Sequence, residues 1–377
     1  MIDFLTPVPK TVLAHREILP SGVLGKYISV HSSPGVLPDL DQVNFAILGV
    51  KENRGDINFI GEELCFDEIR KSFYSLYPGN WSHKIVDLGD IEKGATLNDT
   101  HFAMKAVLEQ LLLKKIIPLL LCGSQDLAYS QYRSYDVLGN MVNITNIDSK
   151  FDLGDADQPM TNKSFVGKII VNKPYGLFNY SNLGYQSYYN ASEEIKLMEK
   201  LFFEYISLGE ISENNMKAEP IMRNSNIVGF DMKSLSFSAS FDQTQANPNV
   251  IDPRLACILT KYAGQSNKTN FLGLFELNNN IISNKLYSEI IWYFLDGINK
   301  RIIESDFNDS QTFNKYIVQT SGRDIIFFKS KVSEKWWMLI NPANNPSISY
   351  LPCLESDYLD ALNDNIPSRW LKATKRV

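Results

Sequence analysis

Seven charged side chains follow strand-like apolar runs in this 377-residue chain. The run at 117–123, IPLLLCG, leads into Gly123-Ser124-Gln125-Asp126, and the run at 142–148, VNITNID, leads into Asp148-Ser149-Lys150-Phe151-Asp152. Two later runs, at 226–234 and 269–277, carry Asp231 with Lys233, and Glu276. In an open parallel sheet, ligands bind beyond the carboxyl ends of the strands, so chemistry belongs at these positions. A lysine there can form a Schiff base if its pKa is depressed, but neighbouring aspartates favour the charged amine instead. No GxSxG elbow, P-loop or GxGxxG follows any of these runs. Taken singly, each aspartate reads as a helix cap and each lysine as a solvated charge. Taken together, they put more charge on one rim than a sheet edge ordinarily holds.

The surrounding elements must bring that rim together. NFAILGV (44–50) and HKIVDLGD (83–90) are further apolar runs, short enough to be parallel strands buried on both faces. CFDEIRKSFYSLY (65–77) and THFAMKAVLEQLLLKK (100–115) have helical spacing, as does a stretch near 126–138. DPRLACILTKYAG (252–264) is expected to be a helix capped by Asp252, with Pro253 in its first turn and Gly264 past its end. SEIIWYFLDGINKRI (288–302) is another long helix. Repeated strand–helix–strand units imply a mainly parallel sheet covered by helices on both faces, an α/β fold of three layers. Residues 1–40 read as an irregular, Pro-punctuated extension lying over that domain, and residues 304–377 as an appendage. Within the appendage, three strand-like runs at 316–341 suggest an antiparallel meander followed by short helices. Trp336 and Trp337 on that meander are either a docking surface or simply cover for the domain.

The strand-end residues carry a family resemblance. Gly123-Ser124-Gln125-Asp126, Asp148-Ser149-Lys150-Phe151-Asp152 and Gly229-Phe230-Asp231-Met232-Lys233 resemble, in order, the ureohydrolase motifs Gly-Gly-Asp/Asn-His, Asp-Ala-His-x-Asp and Ser-x-Asp-x-Asp. The likeness extends over 41–303. Phrases such as LFNYSNLGYQ, LACILTKYAG and EIIWYFLDG are similar to a formimidoylglutamase-like branch found in Bacteroidetes-type bacteria. It implies the arginase-like fold and, in the family, two manganese ions.

Carried across residue by residue, the first ion of the family would meet Asp126, Asp148, Asp152 and Asp231. The second would meet Lys150, Lys233, Asp148 and Asp231. Glu276 stands where family members use a glutamate to engage the substrate's amidine or guanidine cation. A lysine ammonium offers only donors and cannot ligate a cation, so the resemblance implies a degenerate site whose second metal position is empty. There Lys150 and Lys233 supply about the charge of one divalent ion. The first position keeps four carboxylates that could hold a single Mn, Mg or Ca ion, although the expectation is no metal. Family hydrolysis depends on a metal-activated water, and the chain has only His15, His31, His83 and His101, none beyond the first motif. The resulting expectation is a pseudoenzyme acting as a scaffold or binding module. The alternatives are an amidine hydrolase with a reduced metal site and a small-molecule sensor that uses the old cleft.

Composition sets outer limits. A net charge of −6 argues against nucleic acid as a partner, because phosphate binding needs a basic face. No apolar run approaches the roughly 20 residues of a membrane span. The start of the chain lacks the basic and apolar segments of a secretory signal. Cys65, Cys122, Cys257 and Cys353 are too scattered for a disulfide framework and suggest free thiols in the cytoplasm. A protein partner or a homo-oligomer is the expected mode of action.

Overall fold

A computed structural model describes residues 2–61, 63–155, 157–235, 249–277, 281–340 and 349–376. The strands are β1 (Ser29–Val30), β2 (Phe45–Val50), β3 (Ile85–Ile91), β4 (Ile117–Cys122), β5 (Val142–Ile147), β6 (Leu177–Tyr185), β7 (Glu204–Ser207), β8 (Ile227–Asp231), β9 (Phe271–Phe275), β10 (Phe313–Thr320), β11 (Arg323–Ser330), β12 (Trp336–Ile340) and β13 (Ser349–Cys353). The first nine form one sheet in the order β1-β3-β2-β4-β9-β8-β5-β6-β7, and every neighbouring pair in it is parallel.

Strand period 2 places alternate side chains on opposite faces. In β2, Phe45 and Ile47 enter one core, while Ala46, Leu48 and Val50 enter the other. The first core is closed by the helices Asp67–Tyr74, Pro253–Gln265 and Ile281–Asn299, and the second by Leu97–Leu113, Leu127–Arg133 and Phe165–Val171. This is the three-layer α/β arrangement that the alternation of elements implies, with its parallel strands buried on both faces.

Several local expectations need correction. The segment before residue 41 is not irregular: it contains the helix Lys10–Ile18, and β1 pairs with β3 at the sheet edge. The long helix begins at Leu97 rather than 100, because Thr96 and Asp99 form a reciprocal capping box. Asp252 caps the Pro253–Gln265 helix as expected, its carboxylate accepting from the N–H groups of Arg254 and Leu255. Gly264, however, lies inside that helix rather than past its end. A Cβ there would stand 2.1 Å from the Phe294 carbonyl and 3.0 Å from Gly297 Cα, so this glycine serves close helix packing, not a cap.

The C-terminal sheet has four strands rather than three, in the order β10-β11-β12-β13 and antiparallel throughout. Asn341, the last residue of the expected meander, lies outside the described residues. Helices Glu355–Leu362 and Ser368–Arg376 cover one face of this sheet. Trp336 and Trp337 are only 5% and 7% exposed. Trp336 stacks on Tyr358 and Trp337 meets Phe307 edge-on, so the pair is core rather than a docking surface.

Candidate functional site

Four neighbouring strands, β4, β9, β8 and β5, end on one rim. The chain runs from β4 to β5 across a gap later filled by β8 and β9, and such a reversal of strand order opens a crevice at the strand ends. Asp148 and Asp231, immediately past β5 and at the last residue of β8, are buried, as are Asp152 and Glu276. Asp148 and Asp231 each accept the backbone N–H two residues on, from Lys150 at 2.9 Å and Lys233 at 2.8 Å. These Asx turns bend the chain away from the sheet. Asp152 (φ 51°) and Glu276 (φ 57°) hold left-handed backbone conformations. That geometry is uncommon for residues with a side chain and clusters at functional sites.

Two of the expected participants are elsewhere. The Asp126 carboxylate accepts from the Ser124 hydroxyl and lies 2.9 Å from His101 Nε2. His101 Nδ1 is in turn 2.6 Å from Ser130 Oγ. Ser130 is only 3% exposed, so this Ser–His–Asp chain ties two helices together and does not present a nucleophile. The residue that reaches the acidic cluster is Gln125, whose Nε2 donates to Asp148 Oδ2 at 2.9 Å. Shifting the first motif by one aligns Cys122-Gly123-Ser124-Gln125 with Gly-Gly-Asp-His and puts Gln125 at the histidine position.

Lys150 also departs from expectation. Its Nζ lies 5.7 Å from the centroid of the Tyr189 ring, a cation–π contact, and makes no ion pair among the described residues. Lys163, which no motif marks, approaches the cluster instead, with Nζ 3.7 Å from Asp152 Oδ1. Burial works against its charge, but Asp152, Asp231, Asp148 and Glu276 more than offset this and hold it firmly protonated.

Lys233 is in the site, with partners other than the aspartates of its own motif. Its Nζ lies 2.6 Å from Glu276 Oε2 and 2.7 Å from Asp56 Oδ2. Burial opposes its charge too, and Glu276 and Asp56 outweigh it. The other oxygen of Glu276 accepts from the Gln125 N–H and from Asn162 Nδ2, both at 2.9 Å. Asn162 Nδ2 also donates to Asp56 Oδ1 at 3.0 Å, and the Asn162 N–H to the Gly55 carbonyl at 3.0 Å. The segment after β2 is thereby drawn over the strand ends, and Gly55 packs so closely that a Cβ would stand 2.1 Å from Asp126 Oδ1.

The electrostatics are those of an acid-rich pocket with two internal cations. Burial, followed by the charge of Asp152, pushes Asp148 up to about 8. Asp231 rises through burial and then the charge of Asp148, and Asp152 rises through burial. Glu276 is raised by burial despite Lys233. Five carboxyl groups therefore face two ammoniums, and Asp148 retains its proton at neutral pH.

A manganese pair does not fit these donors. The two positions that would complete the second ion's shell carry Lys150 and Lys233, which have no lone pair to give while charged, and Lys233 is held charged. The first position keeps Asp148, Asp152 and Asp231, with an amide in place of the histidine and Lys163 close to Asp152. Among the described residues, no three histidine, cysteine, aspartate or glutamate side chains are placed to hold a metal ion.

Solved structures share the fold. A formiminoglutamase from Trypanosoma cruzi, solved with Mn2+, superposes with a TM-score of 0.61 at 16% identity, covering 71% of this chain and 97% of that one. The formimidoylglutamase of Bacillus subtilis gives 0.62 at 16%, covering 71% and 90%. A hypothetical agmatinase from Burkholderia thailandensis gives 0.57 at 14%, covering 71% and 89%. No curated protein sequence matches significantly. Among the described residues, no helix is long and apolar enough to cross a membrane. The family model of the arginases matches residues 43–242, more than half of the chain and including the first three strand-end motifs, and the protein is therefore a member of the arginase family.

Proposed function

We propose that this chain is a pseudoenzyme of the arginase family, in which internal ion pairs occupy the cleft that hydrolytic relatives use for metal and substrate. One observation carries the reading: the Lys233 ammonium sits 2.6 Å from Glu276 and 2.7 Å from Asp56. By resemblance, Glu276 is the carboxylate that engages a substrate's amidine or guanidine cation. Here the chain's own lysine already stands where that cation would, so an incoming cation must break two part-buried contacts before it can bind. Lys163 likewise supplies charge beside Asp148, Asp152 and Asp231 that a metal would otherwise bring. The chain then acts by binding, as a scaffold for a protein partner or for further copies of itself.

The test is an assay of the purified protein with added Mn2+ against formimidoylglutamate, arginine and agmatine, with metal content measured on the same sample. No turnover above background is expected. Mn2+-dependent hydrolysis that disappears in Asp148→Ala would overturn the proposal.

A second reading rests on the excess of acid. Among the described residues, Asp152 Oδ2 is buried without a partner, and five carboxyls outnumber two ammoniums. A single hard cation that drew the Asp148, Asp152 and Asp231 carboxylates closer together than they stand here would relieve both, leaving a reduced-site amidine hydrolase or a small-molecule sensor. Stoichiometric retention of one Mn2+, Mg2+ or Ca2+ through gel filtration favours this reading, and the hydrolysis assay separates its two forms.

A further inference from the structure

Away from the strand-end cleft, a cavity of about 360 Å³ opens between the parallel-sheet body and the C-terminal sheet. Its size falls within the range of small-molecule sites. One wall is aromatic and comes from Phe307, Trp337 and Tyr350. Phe307 and Tyr350 stack with ring centroids 3.7 Å apart and an interplanar angle of 8°, and Trp337 closes the group edge-on. The lining also carries three cations, Arg223, Lys268 and Lys335.

These cations have charge to spare. Arg223 is 9% exposed, and its guanidinium lies over the Trp337 ring at 4.4 Å. Its Nη2 donates to the Cys353 carbonyl at 2.9 Å and its Nε is 3.1 Å from Glu219, but its Nη1 is buried with no hydrogen-bond partner among the described residues. Lys335 reaches the same Glu219 oxygen at 3.1 Å, so one carboxylate serves two cations. Lys268 donates to the neutral Asn224 amide at 2.7 Å. The one acid among the described lining residues, Glu304, already accepts from the hydroxyls of Ser330 and Ser333. A buried guanidinium N–H left unsatisfied is costly, and groups so placed ordinarily have a partner.

We propose that this cavity binds a small planar anion: an aromatic or heteroaromatic ring that carries a carboxylate or a phosphate. The ring lies against Tyr350 and its aromatic neighbours. The anion takes the ammonium of Lys268 beside the guanidinium of Arg223, as ammonium and guanidinium groups do with both oxyanions. Apolar walls with a few convergent polar groups are the usual make-up of such sites.

Calorimetric titration of the full chain tests this with adenosine 5′-monophosphate and 4-hydroxybenzoate as the ring-bearing probes, and with inorganic phosphate and adenosine as controls. At least one ring-bearing anion should bind saturably at one site, with a Kd below about 1 mM. Which one binds distinguishes phosphate from carboxylate as the natural anion. Lys268→Glu, at an exposed position, should melt like the parent without ligand, Tyr350→Ala, which loses its stack on Phe307, should melt lower but still cooperatively, and each should weaken binding by about tenfold or more. The proposal fails if neither ring-bearing anion binds saturably. It also fails if inorganic phosphate or adenosine binds as tightly as the better probe, or if neither substitution weakens binding.

Discussion

The strand-end cleft and the junction with the C-terminal sheet invert one another's charge. In the cleft, Asp56, Asp148, Asp152, Asp231 and Glu276 surround Lys163 and Lys233, and the excess is acidic. At the junction, Arg223 and Lys335 share Glu219 while Lys268 leans on an amide, and the excess is basic. The cleft manages its surplus internally, by inserting ammoniums and by keeping a proton on Asp148. The junction leaves an arginine N–H without a partner among the described residues. Within one fold, the cleft thus pairs much of its charge internally, while the junction between the sheets keeps a cationic excess.

Breaking the cleft should produce the largest effect. Lys233→Ala removes the partner of buried Glu276 and is expected to cost about 3 kcal/mol, the low end for a broken buried pair because a third of the lysine side chain meets solvent. Urea unfolding measures this, and a variant as stable as the parent would make Lys233 a bystander.

The retained proton gives the cleft a pH signature. Asp148 has a folded pKa of about 8, well above that of an unfolded aspartate. Its contribution is therefore fully present below about pH 4 and is lost as pH rises through about 8. In chelator-treated protein, Asp148→Asn, which mimics the protonated form, should flatten the fall in stability across that window by on the order of 2 kcal/mol. Superimposable stability–pH curves for parent and variant would contradict it.

A smaller effect separates the anchoring serine–histidine–aspartate chain from catalysis. Ser130→Ala loses the hydroxyl contact to His101 and should lower stability by about 1 kcal/mol. It should leave unchanged whatever ligand binding the cleft retains. Thermal melting and calorimetry report the two readouts independently.

Lys150→Ala should matter least. Its ammonium lies over the Tyr189 ring and makes no ion pair among the described residues, so the change should stay within about 0.5 kcal/mol. A loss comparable to that of Lys233→Ala would put Lys150 in the acidic cluster after all and remove the distinction between the two lysines.

Much of the cleft can be read from local pattern. Apolar runs of strand length alternating with helical spacing determine a parallel sheet, and a parallel sheet places Asp148, Asp152, Asp231 and Glu276 at one end of it. The buried aspartates and the glutamate required nothing beyond strand identity and strand direction. Tertiary structure alone decided which cations join them. Lys163 and Asn162 lie in the loop after β5, and Asp56 in the loop after β2. Their contacts with Glu276 and Lys233 span 114 and 177 residues, and no local periodicity encodes a pairing between loops. Lys150 sits two residues from Asp148, yet turns to Tyr189. Gln125 rather than Asp126 reaches Asp148, because the turn after β4 directs the aspartate to His101. The period of apolar residues sets which backbone segments form and which faces they bury. The direction of a charged side chain beyond the end of a strand depends on loop backbone and on partners distant in sequence, and those exist only once the chain has folded.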